Sequence, residues 1–372
     1  MTIALFATGD ELIDGNTLNT NHKNLADIMS SEGLPVGLHL SVRDDEAQIV
    51  DCLAFLVRDH QSIIITGGLG PTSDDLTRFA LAKFLDVPLI EYPEALAHTK
   101  ERLTRAQLTM NDGNRQQALF PKNAILIPNK NGTALGCFYT HNQKQFFLLP
   151  GPPRECLPMF QEYVLPVLHG QEGSDQIMLK WRLFGVPESQ IAERMEDALK
   201  NIPCQLGYRL EIPYVEFKVR TTQPWVETVK AIVDPLAEPH VIAPNQLRAS
   251  AYLKQTISQT KQSISIIDEA TGGHLESLLL EPANHEQLSF NSTKNHSIQC
   301  HITGLRDYWL SVQSPGHTKI YIDYCVNGVK NREEHDIRFF NPQVILAFAS
   351  EWLCHRLSII IAQYHAEPND KK

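Results

Sequence analysis

The residues best suited to chemistry in this chain are gathered in Thr66-Gly67-Gly68-Leu69-Gly70-Pro71-Thr72-Ser73-Asp74-Asp75, between an isoleucine-rich run and an amphipathic segment. Three glycines in four positions leave the backbone open to a ligand and free to take positive φ. Pro71 stiffens the turn, and Thr72 or Ser73 can cap the helix that follows. The N–H groups of a helix's first turn lack intrahelical partners, so they face outward as an anion site. Asp74 and Asp75 beside such a site would repel a phosphate, a conflict that a divalent cation bridging carboxylate and phosphate resolves. For Asp75 a structural reading stands beside this one, a capping box with Thr72, while Asp74 would complement the helix dipole.

Three further clusters carry polar or Gly-rich character. Gly9-Asp10-Glu11 is followed by Gly15, Asn16, Asn19 and Asn21, which also read as a loop ending in an Asn helix cap. Asn131-Gly132-Thr133-Ala134-Leu135-Gly136 is either a ligand loop or a hairpin turn. Leu149-Pro150-Gly151-Pro152-Pro153-Arg154-Glu155 is a stiff turn entering a helix, with Glu155 a ligand or a first-turn acid.

The elements around these clusters must place them together. Ile3 to Ala7 reads as a buried strand, Asn19 to Glu32 as a helix ended by Gly33, Val36 to Val42 as a strand, and Asp45 to Arg58 as a helix. Ser62 to Thr66 is a nearly all-isoleucine strand suited to a sheet centre. Helices follow at Asp74 to Phe84 and Pro93 to Leu108, then short strands at Ala124 to Ile127, Ala134 to Tyr139 and Gln145 to Leu149. This order predicts an α/β fold with a doubly wound, mostly parallel sheet and ligands at the carboxyl ends of its strands.

Residues 1–170 form this first domain. A small α+β domain is expected over 171–245, with strands at 176–184, 205–210 and 214–220 and helices at 188–199 and 226–236. A C-terminal α/β domain over 246–366 begins with a helix (247–260) and a strand (263–267) and closes with an apolar helix at 344–361. The tail from Glu367 reads as frayed.

At 372 residues and a net charge of −10, with no Lys/Arg-rich run, the chain lacks the cations that drive binding along a nucleic-acid backbone. The seven cysteines show no paired or zinc-ligand spacing and read as reduced thiols. The N-terminus has no signal-peptide pattern, and no apolar run reads as long enough for a bilayer. A cytoplasmic protein with a small anionic ligand, and with neither nucleic-acid nor membrane partners, is the expectation.

Taken together, Gly9-Asp10-Glu11-Leu12 with Asn19-Thr20-Asn21, the 66–75 loop, Asn131-Gly132 with Gly136, and Leu149-Pro150-Gly151 with Glu155 match one pattern. Residues 1–165 resemble the N-terminal, molybdopterin-cofactor-type domain of the CinA (competence/damage-inducible protein A) family. The long Leu69 to Asp75 form distinguishes this pattern from related molybdopterin-binding proteins. The resemblance implies a metal-dependent pyrophosphatase that splits ADP-ribose into AMP and ribose 5-phosphate, acting as a homodimer on a small nucleotide-type substrate. It implies catalytic roles for Asp10, Asp74 and Asp75, with a divalent metal ion on Asp10 and Asp74 and room for a monovalent cation. Substrate contacts are implied at Asn21, Gly67, Gly68, Gly70, Thr72, Ser73, Gly132, Gly151 and Glu155. Which carboxylate is the base stays open. A molybdopterin-type nucleotidyl transferase and a nucleotide-binding protein without turnover are the alternatives.

CinA chains commonly end in a domain that deamidates nicotinamide mononucleotide, with a nucleophilic serine three residues before Gly-Gly. Here Ile267-Asp268-Glu269-Ala270-Thr271-Gly272-Gly273 places Glu269 at that position. Ser289-Phe290-Asn291-Ser292-Thr293-Lys294 lacks the family's tyrosine, and Ser314-Pro315-Gly316-His317 shortens its Gly-rich loop. With no His or Lys beside Glu269 in sequence, the deamidase chemistry is expected to be absent.

Overall fold

The computed structural model describes residues 2–170, 176–292, 296–310, 316–326, 329–339 and 344–366. The chain divides into two compact units, 1–178 and 179–372.

The first unit is built on strands β1 (Ile3–Thr8), β2 (Val36–Val42), β3 (Ser62–Thr66), β4 (Leu89–Glu91), β5 (Leu119–Pro121), β6 (Ile125–Ile127), β7 (Gly136–His141) and β8 (Lys144–Leu149). Six of them form one sheet in the order β2-β1-β3-β8-β7-β6, and β4 pairs with β5 outside it. The strands β2, β1, β3 and β8 run parallel, and β7 and β6 add antiparallel pairs at one edge.

The centre of this sheet follows from Ile63-Ile64-Ile65. Successive strand side chains point to opposite faces, so an unbroken aliphatic run requires both faces to be covered. Ile63 and Ile65 pack with Phe6, Leu53, Leu56 and Leu81 on one side. Ile64 packs with Leu5, Leu25, Met29 and Phe160 on the other. The crossover helices Thr20–Ser31 and Glu46–Asp59 start where sequence places their caps: Asn19 accepts from the N–H of His22 at 3.0 Å and Asp45 from that of Gln48 at 2.8 Å.

The second unit carries two sheets. The strands β9 (Gln176–Phe184), β10 (Gln205–Glu211) and β11 (Tyr214–Thr222) form one in the order β10-β11-β9, backed by helices Glu188–Leu199 and Val226–Ala237. The other comprises β12 (Ile264–Asp268), β13 (Leu288–Phe290), β14 (Ile298–Gly304), β15 (Gly316–Val326) and β16 (Val329–Phe339), ordered β13-β12-β14-β15-β16. The long β15–β16 hairpin has no counterpart in the sequence expectations. Its one buried face, with Ile320, Ile322 and Ile337, alternates with charged residues, a pattern diluted by Tyr and His.

The two parts of this unit share a buried carboxylate. Glu351 accepts from the hydroxyls of Tyr214 and Ser250, both at 2.7 Å, and from the N–H of Ser250 at 3.0 Å. The helix Ile345–Ala366 corrects one expectation: over Ile345–Tyr364 it is long and apolar enough to cross a bilayer by length and composition. In this fold that apolarity serves the core, where Ala349, Leu353, Leu357 and Ile360 are buried.

Candidate functional site

The four parallel strands of the first unit open their carboxyl ends on one edge, where α/β sheets place ligands. A cavity of about 270 Å³ lies there. Of the residues expected at the site, Asn21, Gly67, Gly68, Asp74, Asp75 and Gly151 line this cavity. Asp10, Gly70, Thr72, Ser73, Gly132 and Glu155 are not among its lining residues.

The glycines are required by how closely the loop packs onto its own scaffold. Gly67 has φ 101°, and a Cβ there would lie 2.5 Å from the carbonyl oxygen of Thr8. Gly68 has φ 63°, and a Cβ would overlap the hydroxyl of Thr77, which itself lies 3.0 Å from the Thr8 hydroxyl. The crowding is against protein, and the positive φ expected of these glycines is present at both. Arg78, absent from the sequence expectations, fixes the loop from beneath. Its guanidinium is fully buried, donates to the carbonyls of Leu69 (2.9 Å) and Gly70 (3.1 Å), and lies over the Phe120 ring. Burial lowers its pKa to about 10, with the Asp75 charge opposing the shift, so it stays charged at neutral pH.

Asp75 is a loop brace. Its carboxylate accepts from the N–H of Gly70 (2.7 Å), the N–H of Thr72 (2.8 Å) and the Thr72 hydroxyl (2.5 Å). The helix therefore begins later than expected, at Thr77 and not Asp74, because 72–75 closes its own turn first. The amides of Gly70 and Thr72 are thus committed to Asp75. Asp74 is exposed beside it, and its carboxyl is held below the usual range by hydrogen bonding to Thr72 and to its own N–H.

Asp10, outside the lining, is tied to the neighbouring Arg43 and Asp44. Its carboxylate accepts from the N–H of Asp44 (3.3 Å) and from Arg43 (3.5 Å), while its own N–H donates to Asp44 (3.1 Å). Asp44 lines the cavity together with Glu11. Burial raises the pKa of Asp44, and the like charges of Asp10, Glu11 and Asp74 push it further, against the hydrogen bond from Asp10. Asp44 was legible in principle, since Val42-Arg43-Asp44 leaves β2 at the same edge as the Gly-rich turns.

Gly132 and Glu155 form a separate structural knot. Asn129 donates from its amide to Glu155 (2.8 Å) and the carbonyl of Ala134 (2.8 Å), and accepts the N–H groups of Asn131 (2.9 Å) and Gly132 (3.0 Å). A Cβ on Gly132 would overlap the Glu155 carboxylate. Residues 131–132 lie in the connection that joins the antiparallel pair β6 and β7, so the segment is a hairpin with a long loop.

In the second unit, Asp268 caps the 269–273 turn through the N–H groups of Ala270 (3.0 Å) and Thr271 (2.9 Å) and the hydroxyl of Thr271. Gly272 is closed off by Trp309, whose ring lies 2.7 Å from where a Cβ would stand. Glu269 has a basic neighbour in space that sequence did not show: Nε2 of His301 on β14 lies 3.1 Å from its carboxylate. A cavity of about 530 Å³ with Ile267, His301 and Asp323 on its wall opens on this face of the sheet. Thr293, Lys294, Ser314 and Pro315, and the tail from Glu367, lie outside the described residues.

Residues 4–170 match the family model described as "Probable molybdopterin binding domain". A CinA-like protein of Citrifermentans bemidjiense is 34% identical over 279 residues, covering 73% of this chain and 67% of that protein. A CinA-like protein of Syntrophotalea carbinolica is 32% identical over 292 residues, covering 76% and 70%. Among solved structures, a CinA protein of unknown function from Thermoplasma acidophilum is 26% identical, spans 45% of this chain and 97% of its own, and superposes with a TM-score of 0.42. On the two CinA-like relatives, the chain belongs to the CinA-like protein family.

Proposed function

We propose that the first unit binds a nucleoside diphosphate of the ADP-ribose type as its divalent-metal complex and hydrolyses it to AMP and ribose 5-phosphate. The observation that carries this reading is the charge of the pocket wall: Glu11, Asp44, Asp74 and Asp75 line it, with no lysine or arginine among the lining residues. Like charges about 4 Å apart repel by roughly 4 kcal/mol at an effective dielectric of 20, so a bare diphosphate is rejected here.

The donors suit a hard cation. Asp44 and Asp74 would hold it, because both face the pocket and each carries only part of its hydrogen-bonding capacity. Among the described residues no group of three or more His, Cys, Asp or Glu side chains is arranged as a metal cage. Magnesium-type ions are commonly bound through one or two carboxylates, with phosphate oxygens and water completing the shell. When bound, such an ion supplies charge neutralisation at the diphosphate and a more acidic water. Asp75 holds the loop rigid, and Arg78 fixes the loop carbonyls facing inward.

The test is a divalent-metal titration of the whole chain with ADP-ribose, following AMP release. No AMP at any metal concentration with a folded protein would reject the reading. Molybdopterin nucleotidyl transfer is the second reading, favoured by the family match over 4–170, and ATP with molybdopterin in the same assay separates it. The acidic net charge of −10 favours small-molecule over nucleic-acid partners. Homodimer formation belongs to the same proposal and is checked by sedimentation. For the second unit we read Glu269 as replacing the amidase nucleophile, with no deamidation of nicotinamide mononucleotide.

A further inference from the structure

The strand β16 is an edge of its five-stranded sheet: it pairs with β15 and, among the described residues, with no other strand. It is 11 residues long, contains no proline, and runs against β15 in one unbroken register from Val329 to Phe339. Such an edge presents a row of open backbone N–H and C=O groups, and folds commonly blunt it by shortening, bulging or a proline. This edge carries charge instead. Its orientation is fixed by the face turned to helix Ile345–Ala366. There Glu333 accepts from Nε and Nη2 of Arg356 at 2.6 and 2.8 Å, the His335 ring stacks on Trp352 at 4.6 Å, and Ile337 is buried. Side chains alternate along a strand, so Lys330, Arg332, Glu334, Asp336 and Arg338 fall on the open face, and all of them are exposed.

We propose that β16 is the docking edge for a second copy of this chain, which adds its own β16 antiparallel about Glu333 and joins the two five-stranded sheets edge to edge. The order of the charges selects this pairing. Antiparallel pairing about Glu333 sets Lys330 opposite the partner's Asp336 and Arg332 opposite the partner's Glu334, each twice over by the two-fold symmetry. Pairing about Glu334 would set Lys330 against the partner's Arg338, and pairing about Arg332 would bring the two Arg332 side chains together. Parallel pairing in register would set every charge against its like, and a slip that mixes odd with even positions would oppose the exposed face to the buried one. In the favoured register the like pair on the axis is Glu333, whose charge is held by Arg356 of its own chain.

The rows of charge continue across the seam. Arg332 lies 3.6 Å from Asp323 on β15, and Glu334 lies 2.9 Å from Lys319. The sign therefore alternates from one β15, through both copies of β16, to the other β15. Charges on an edge strand keep other strands away; in this order they admit a second copy. The surface lies in the second unit, independent of the nucleotide reading of the edge pocket, and gives the proposed homodimer an interface.

The test is a charge swap in the whole chain, read by sedimentation at micromolar concentration. Lys330→Glu with Arg332→Glu makes the open face of β16 acidic from 330 to 336, and Glu334→Lys with Asp336→Lys makes it basic. These side chains are exposed and their ion pairs within the chain are surface pairs of small energy, so both variants should keep the wild-type circular dichroism spectrum. Wild type should sediment as a dimer. Each variant alone should dissociate, with a dissociation constant raised by about tenfold or more, because like charges then face each other across the seam. An equimolar mixture of the two should regain the dimer, since acid then meets base at every position.

A wild-type protein that stays monomeric would overturn this proposal and the homodimer with it. Variants that associate as wild type does would overturn this surface and leave the homodimer standing. Two folded variants that dissociate alone and fail to associate when mixed would overturn the pairing about Glu333.

Discussion

The Asp75 carboxylate accepts the N–H of Gly70 at 2.7 Å, drawing the Gly-rich loop shut across its neck. Its neighbour Asp74 is exposed and turned to the pocket, so adjacent acids have different work. Asp75→Asn should cost about 1–3 kcal/mol in urea unfolding, because one loop N–H loses its acceptor. Asp74→Asn should stay within about 0.5 kcal/mol of wild type and lower ADP-ribose turnover by roughly two decades. Full turnover in a folded Asp74→Asn protein would remove Asp74 from the chemistry.

Gly68 packs against Thr77 rather than against open pocket. Gly68→Val should therefore lower the melting temperature as well as nucleotide affinity. Gly68→Ala combined with Thr77→Ala should recover part of that stability, the positive φ strain remaining. Unchanged stability in Gly68→Val would contradict the crowding.

Arg78→Met preserves much of the side-chain volume and removes the donors to Leu69 and Gly70. The two carbonyls lose a charged partner, for an expected loss of about 2–4 kcal/mol. Equilibrium unfolding of wild type and variant at pH 7 measures it. A loss below about 0.5 kcal/mol would show that the loop holds itself.

His22 is buried against His39, their rings edge to face at 5.2 Å. Burial, helped by the His39 charge and opposed by a hydrogen bond to Phe6, lowers its pKa to about 4. The unfolded chain, titrating near the ordinary 6.5, binds more protons between these values, so stability rises with pH across that window and is lost on acidification. The loss approaches about 3 kcal/mol at most by pH 4. Urea unfolding from pH 4 to 7.5 should show a shallower slope in His22→Gln than in wild type. Identical slopes would assign the acid sensitivity elsewhere.

Glu269 has no hydroxyl to form an acyl intermediate, and its neighbour His301, 3.1 Å away, faces a carboxylate instead of an alcohol. Nicotinamide mononucleotide should release no ammonia above the buffer blank with the whole chain. Release that is abolished by Glu269→Gln would show that the pair activates water.

The sequence alone determined the elements whose cause is local. Ser62 to Thr66 is central because Ile63, Ile64 and Ile65 present aliphatic side chains to both faces, and Asn19 and Asp45 start helices because their side chains reach the N–H three residues on. The Gly-rich turn and its place at a strand end were equally legible. The tertiary structure alone decided which acids line the edge pocket. Asp10 turns to Arg43 and Asp44, 33 and 34 residues away, and Glu155 is drawn to Asn129, 26 residues before it. Arg78 under the loop and His301 beside Glu269 were likewise invisible. Their partners are set by strand order and close packing, and side-chain direction at a loop depends on which distant backbone groups need an acceptor.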